Sequence, residues 1–197
     1  MKKKDILKNY IENNNGILLT SDVVMMNIHK QYIKILCDEE FIEQIAKGVY
    51  VKKGKNINDF YILQNRYKKG IFSHNTALYF YHLTDRTPLK YDLTFKSKTR
   101  VHDNTIDVHY VKDEFFDIGI TSISFNDGTS VKVYDLERTI IDIIRNRNKM
   151  DNQILNTAIK GYIRRKDNNM VKLAKYAKIF NVEKILKQYM EVLWRYI

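Results

Sequence analysis

The chain has 197 residues, 44% hydrophobic and 29% charged, with a formal net charge of +11. That balance excludes an intrinsically disordered chain and allows one sizeable or two small cores. A single cysteine, Cys37, leaves no internal disulfide and no cysteine-rich zinc site. No apolar run has membrane-spanning length, and Met1-Lys2-Lys3-Lys4-Asp5 leads into an amphipathic segment, so neither a membrane partner nor a signal peptide is expected and the expected location is cytoplasmic.

Ile6, Leu7, Tyr10 and Ile11 recur at helical spacing over Lys3 to Asn13, and Asn13-Asn14-Asn15-Gly16 ends that helix with residues that tolerate a left-handed cap. Thr20 or Ser21 is placed to cap a short second helix ending near Asn27, with Asp22 against the positive end of its dipole. A third helix from about His29 to Glu40 buries Ile33, Leu36 and Cys37 and shows His29, Lys30, Gln31 and Lys34. Cys37, on the inward side, reads as a packing residue. Phe41 to Ile45 and Val49 to Lys52 then read as two strands joined around Lys47-Gly48.

Helix, helix-turn-helix and two-stranded ribbon in that order are the layout of a winged helix-turn-helix. The second helix of such a motif enters the major groove, which makes His29, Lys30, Gln31 and Lys34 the candidates for base edges and Lys47, Lys52 and Lys53 the candidates for phosphates. Thr20 and Ser21 belong to the same candidate DNA-binding set. A solvated basic face on a small helical domain is the plainer alternative.

The apolar pattern lapses at Lys52-Lys53-Gly54-Lys55-Asn56, which predicts a boundary near residue 57 and two domains, 1–57 and 58–197. Phe60, Tyr61, Leu63 and Tyr67 suggest a helix, and Ser73 caps another through Ala77, Leu78, Phe80 and Tyr81 to His82. Pro88 stops continuation. Four strands are expected at Tyr91 to Phe95, Thr105 to Val111, Thr121 to Phe125 and Ser130 to Tyr134, the last two joined by the hairpin signal Asn126-Asp127-Gly128. Asp135 caps a helix carrying Leu136, Ile140, Ile141, Ile143 and Ile144, with Glu137 in its first turn. Three further helical patterns follow, one through Ile154, Ala158 and Tyr162, one through Val171, Leu173 and Ala177, and one capped by Asn181 through Leu186, Leu193 and Tyr196. The expected fold is α+β: an N-terminal winged helix-turn-helix followed by a mixed α/β domain with a small sheet and terminal helices.

Charge is unevenly spread. Residues 1–57 carry 10 Lys+Arg against 7 Asp+Glu, residues 58–144 carry 11 against 12, and residues 145–197 carry 13 against 4. The last stretch holds most of the field that attracts a polyanion. Arg145, Arg147, Lys149, Lys160, Arg164, Arg165, Lys166, Lys172, Lys175 and Lys178 recur over its helices and suggest one shared cationic face, for DNA, RNA or a protein partner.

Gly48-Val49-Tyr50, Ser73-His74-Asn75-Thr76-Ala77-Leu78, His82-Leu83-Thr84-Asp85-Arg86-Thr87-Pro88 and Val133-Tyr134-Asp135-Leu136-Glu137-Arg138-Thr139-Ile140-Ile141-Asp142, taken together and in order, resemble the AbiEi family, the antitoxins of bacterial abortive-infection systems. The resemblance spans nearly the whole chain. It implies a protein that represses its own operon through the winged helix and counters a nucleotidyltransferase-like AbiEii toxin through the second domain. It also implies type IV behaviour, in which toxin and antitoxin form no stable complex. His29 stands where the family's third helix often opens with a small hydroxyl cap.

Glu137, Arg138 and Thr139 invite a catalytic reading, but a helix start followed by isoleucines accounts for them, with Arg138 holding the helix to the sheet through a carboxylate. None of the five histidines, His29, His74, His82, His102 and His109, forms a helical zinc pair, so no metal and no cofactor is expected. No acid is followed two positions later by lysine, the arrangement of the common metal-dependent nuclease core, and no phosphate loop or nucleophile elbow is present, so no enzyme activity is expected. Tyr32, Tyr91, Tyr162 and Trp194 are spaced for base stacking or for burial. The expected partner is operator DNA with inverted repeats, bound by copies that pair on the duplex and are monomeric in solution, because no dimerisation zipper is visible. The alternative expectation is a winged-helix regulator with a ligand-sensing second domain and no toxin partner.

Overall fold

A computed structural model describes residues 2–194, with side chains described through Glu191. The side chains of Leu193 and Trp194, and Tyr196, lie outside the described residues. The fold is α+β, and the chain divides into two compact units, Met1–Lys68 with Ser124–Val131, and Lys69–Ile123 with Lys132–Ile197. Among the described residues no helix is long and apolar enough to cross a membrane.

The first unit runs α1 (Lys3–Asn13), β1 (Ile17–Leu19), α2 (Thr20–Met25), α3 (Gln31–Asp38), β2 (Ile42–Ala46), β3 (Val49–Lys52) and α4 (Asp59–Arg66). Leu7 and Ile11 fall one turn apart on α1 and are both fully buried. With Leu18, Val23, Ile33, Leu36 and Ile42 they make the core of this unit, each apolar side chain contributing about 1.5 to 3 kcal/mol by burial. Asn15 and Gly16 take the left-handed backbone that ends α1 as anticipated, and Asn27 does the same after α2. Gly48, at φ +76°, makes the tight turn between β2 and β3.

The antiparallel sheet has the order β1-β3-β2, with Ile17 opposite Val51, Glu43 opposite Val51 from the other side, and a bulge between Gln44 and Ala46. Strand β1 has three residues, too short to show alternation, and was invisible to periodicity.

The first unit does not end at residue 57. Ile57 is buried against Ile17 and Val51, with Tyr61 and Ile62 of α4 packed on the same cluster, so α4 belongs here and the division falls after Lys68. The Asn126-Asp127-Gly128 turn belongs here too. Phe125 stacks on Phe60 at 5.8 Å, Asp127 accepts from the Asn58 N–H at 2.9 Å, and Asn15 Nδ2 donates to the Gly128 carbonyl at 3.3 Å.

The second unit contains β4 (Ile71–Phe72), α5 (His74–Phe80), β5 (Tyr91–Lys96), β6 (Ile106–Val111), α6 (Asp113–Phe116), β7 (Ile120–Ser124), β8 (Ser130–Tyr134), α7 (Leu136–Arg145), a 3-10 turn (Arg147–Lys149), α8 (Asn152–Arg164), α9 (Met170–Ile179) and α10 (Glu183–Trp194). Its sheet has the order β6-β5-β4-β8-β7 and is mixed: β4 is antiparallel to β5 and parallel to β8, and β5 is parallel to β6.

Helix α7 is its axis. Every residue from Leu136 to Ile144 is buried, the signature of a core helix with neighbours on all sides. Asp135 caps it as anticipated, accepting from the Arg138 N–H at 2.8 Å. Ile140, Ile141, Ile143 and Ile144 pack with Leu155, Ala158 and Ile159 of α8 and Leu173 and Ala177 of α9. Asn181, expected to cap the last helix, instead adopts φ +56° just beyond α9 and so terminates that helix.

Candidate nucleic-acid interface and the basic second unit

Helix α3 buries Ile33 and Leu36, half-buries Cys37, and exposes Gln31, Lys34 and Ile35. Gln31 and Lys34 are three residues apart and therefore share one face. The helix starts at Gln31, two residues later than expected. His29 and Lys30 precede it, both exposed, and the His29 ring accepts from the Gln31 N–H through Nδ1 at 3.2 Å. The cap position is Lys30, which makes no side-chain cap bond, so the His29 ring satisfies only the first N–H of the helix.

Thr20 and Ser21 are not caps. Both lie inside the first turn of α2, whose cap position is Leu19, and Asp22 reaches back to accept from the Leu19 N–H at 3.0 Å. Thr20 is tied to the β2–β3 turn, donating its N–H to the Gly48 carbonyl at 2.9 Å.

Lys47 is exposed in that turn. Lys52 and Lys53 are engaged with acids of their own unit, Lys52 Nζ with Glu12 at 2.6 Å and Lys53 Nζ with Glu40 at 2.7 Å, and Lys53 holds the Glu40 carboxyl below its ordinary range. Both pairs are solvent-exposed and weak enough to exchange for a phosphate.

The ten basic residues proposed as one cationic face, Arg145 to Lys178, do not all point outward. Arg165 forms a two-point pair with Asp167, both contacts at 2.8 Å, and donates to the Tyr81 carbonyl at 2.9 Å. Lys172 lies 2.9 Å from Asp135 and 3.3 Å from Glu137. Arg145 pairs with Asp142 at 3.4 Å, and Arg147 donates to the Ile144 carbonyl at 3.2 Å. Lys160 is half-buried, whereas Lys149, Arg164, Lys166, Lys175 and Lys178 are exposed. Helical periodicity placed the cations outward, but Arg165 and Lys172 fasten separate elements together, and Arg145 and Arg147 bond locally at the end of α7.

Glu137 and Arg138 are buried and make contacts the sequence did not reveal. Glu137 is buried and its Oε1 accepts from the Tyr162 hydroxyl at 3.3 Å and the Asn169 N–H at 3.1 Å. Tyr162 is therefore a core residue. Arg138 is fully buried, and its carboxylate partner is Asp142 on its own helix, Nε to Oδ2 at 3.0 Å, not an acid of the sheet. What it ties to α7 is backbone: Nη1 donates to the carbonyls of Phe115 and Ile118, both at 2.8 Å. Tyr32 and Tyr91 are half-buried.

Sequence reasoning also missed a cluster. His74, Asp92 and His109 converge from α5, β5 and β6, with nitrogen and oxygen atoms within 4.8 Å of one another. One signal was available: Asp92 is an acid inside a run of otherwise apolar and β-branched strand residues, and a buried carboxylate requires a partner.

No family model matches the chain, and no curated protein matches it in sequence. In fold it is similar to the RV2827C protein of Mycobacterium tuberculosis, whose crystal structure superposes with a TM-score of 0.54 at 12% identity, over 87% of this chain and 70% of that one. At that identity the likeness is one of fold and carries no activity with it.

Proposed function

We propose that the first unit is a winged helix-turn-helix that binds operator DNA, that the chain represses its own operon, and that the second unit is the antitoxin of a type IV pair, countering a nucleotidyltransferase-like AbiEii toxin without a stable complex. The observation that carries the DNA reading is the pairing of Gln31 and Lys34 on the open face of α3, above buried Ile33 and Leu36, in a unit whose β2–β3 turn exposes Lys47. An amide and an ammonium one turn apart are suited to base edges, and a lysine at a ribbon tip is suited to phosphate. Occupancy of the promoter then excludes polymerase. Copies pair on inverted repeats, and no reaction chemistry is required.

The antitoxin half is supported by the resemblance of the Gly-Val-Tyr and Asp-Leu-Glu-Arg-Thr segments to AbiEi. In the structure these place Tyr50 in β3 and Glu137 and Arg138 at the start of the central helix.

The test is a footprint of the full chain on the DNA upstream of its own reading frame, together with co-expression with an AbiEii-like nucleotidyltransferase toxin. Protection of an inverted repeat, lost in Gln31→Ala with Lys34→Ala, and rescue of growth by the same double variant are expected. Absence of any protected segment overturns the repressor reading. Absence of rescue at matched expression overturns the antitoxin reading.

A further inference from the structure

A cleft of about 250 Å³ opens in the second unit between β6, the start of α5 and the C-terminal half of α7. Its charged walls are Arg138, Arg145, Lys149 and Asp142, with His74 and His109 beside them. It is smaller than the roughly 300 to 1,000 Å³ of pockets for drug-sized molecules.

Arg138 is the feature without an internal explanation. Its guanidinium is held between the rings of Tyr134 and Phe180, 4.2 Å and 4.1 Å from their centroids, and Nε and Nη1 are fully used. Nη2 is buried and has no hydrogen-bond partner among the described residues. An unmet guanidinium donor in a fixed position is costly unless something binds it. Asp142 cannot answer it fully, because the one carboxylate is shared between Arg138 through Oδ2 and Arg145 through Oδ1. Three cations against one acid leave the walls in positive surplus.

A metal ion does not suit the adjoining cluster as it stands. The His74 and His109 rings are stacked, with centroids 3.6 Å apart and planes 13° from parallel. An ion bound to an imidazole nitrogen lies in the plane of that ring, so two stacked rings cannot share one ion without turning. His109 Nε2 is also occupied by Asp92 Oδ1 at 2.7 Å, and the guanidinium groups nearby repel a cation.

We propose that the cleft receives a terminal phosphate group, the phosphomonoester of a mononucleotide-sized ligand, with Arg138 Nη2 as the fixed donor and Arg145 and Lys149 as the outer contacts. Planar guanidinium groups match phosphate oxygens in geometry, and a buried one presented at a small cleft selects a compact dianion over an extended backbone. Two sources carry this group, a free mononucleotide and the 5′ end of a nucleic acid. The inference is independent of operator recognition by the first unit.

Calorimetric titration of the full chain with inorganic phosphate, uridine 5′-monophosphate, uridine, and a tetraribonucleotide with and without its 5′-phosphate tests it. Saturable binding of the phosphorylated probes and none of uridine or the unphosphorylated oligonucleotide is expected. Tighter binding of the mononucleotide identifies the free ligand as the source; tighter binding of the phosphorylated oligonucleotide identifies the nucleic-acid end.

Arg145→Ala with Lys149→Ala, whose side chains are exposed, should weaken binding by at least about tenfold. Arg138→Lys should weaken it further in any preparation that retains its circular dichroism, and the outer double variant keeps the test decisive if Arg138→Lys does not fold. Lack of saturation below about 10 mM with every phosphorylated probe, or affinity unchanged in the double variant, overturns the proposal. Saturable manganese or zinc binding abolished by His109→Ala, with no phosphate binding, overturns it in favour of a metal.

Discussion

Asp92 and His109 lie on neighbouring parallel strands and meet diagonally: Thr94 is the residue opposite His109, and Asp92, two positions back on the same face, reaches His109 Nε2 through Oδ1 at 2.7 Å. The pair fixes the His109 ring, and His74 lies against that ring face to face. His74 also contacts the Ser73 hydroxyl through Nδ1 at 3.0 Å, and Ser73 Oγ accepts from Thr94 at 2.8 Å. Five side chains, Ser73, His74, Asp92, Thr94 and His109, therefore form one polar network at the floor of the cleft.

That network makes stability pH-dependent. Burial first, then the charge environment of His109, Arg138 and Arg145, holds the His74 ring well below its ordinary 6.5. The unfolded chain takes up this proton near pH 6.5 and the folded chain does not, so the contribution of His74 is fully present above about pH 6.5 and is lost as the pH falls toward its lowered folded value. Asp92 acts in the opposite sense, because burial raises its carboxyl above 3.8 and the folded state gains as that carboxyl protonates. Comparing the chain with His74→Asn isolates the histidine, since asparagine tolerates the φ of +46° at this position. The stability difference between them should change against the parent chain by up to about 1.4 kcal/mol per pH unit below pH 6.5 in urea unfolding. A difference that does not vary with pH would show that the ring is not held neutral.

Glu137 joins three elements through one buried carboxylate. Glu137→Ala leaves the Tyr162 hydroxyl, the Asn169 N–H and the Lys172 ammonium without it, and should cost about 2 to 4 kcal/mol. Glu137→Gln keeps an acceptor and should cost less. Urea midpoints of the two variants check the order, and equal midpoints would sink it.

Gly128 sits at φ +80° in the turn after β7, with a Cβ there colliding with the Asn15 side chain. Gly128→Ala should destabilise the chain by about 1 to 2 kcal/mol. Adding Asn15→Gly, which keeps the φ of +50° at that position without strain, should recover the steric part relative to Asn15→Gly alone and leave the backbone part. Thermal unfolding of these variants measures the division, and no recovery would mean that Asn15 yields freely.

For operator binding, Gln31→Ala and Lys34→Ala should each lose about 1 to 3 kcal/mol on the correct sequence and less on unrelated DNA. Lys47→Ala should weaken both alike and flatten the salt dependence by about one unit. Gel-shift titrations at several salt concentrations read both quantities. Equal loss on specific and unrelated DNA for Gln31→Ala would remove it from the base edges.

What the sequence determined by itself was local. The buried stripe of α3, the left-handed stop at Asn15-Gly16, the Asp135 cap and the turn at Asn126-Asp127-Gly128 each depend on residues within a few positions of one another, where helical spacing, a capping carboxylate or a permissive φ suffices. Strands β1 and β4, of three and two residues, carried too little alternation to be seen. Only the tertiary structure decided that Arg138 would bind one carbonyl of α6 and one of the turn that follows it, that Lys172 and Arg165 would turn inward, that α4 would pack with the first unit, and that His74, Asp92 and His109 would meet. Those outcomes follow from strand order, register and helix docking, which bring together groups far apart in the chain. A side chain's partners in a core are set by what the fold carries to it, not by its neighbours in sequence.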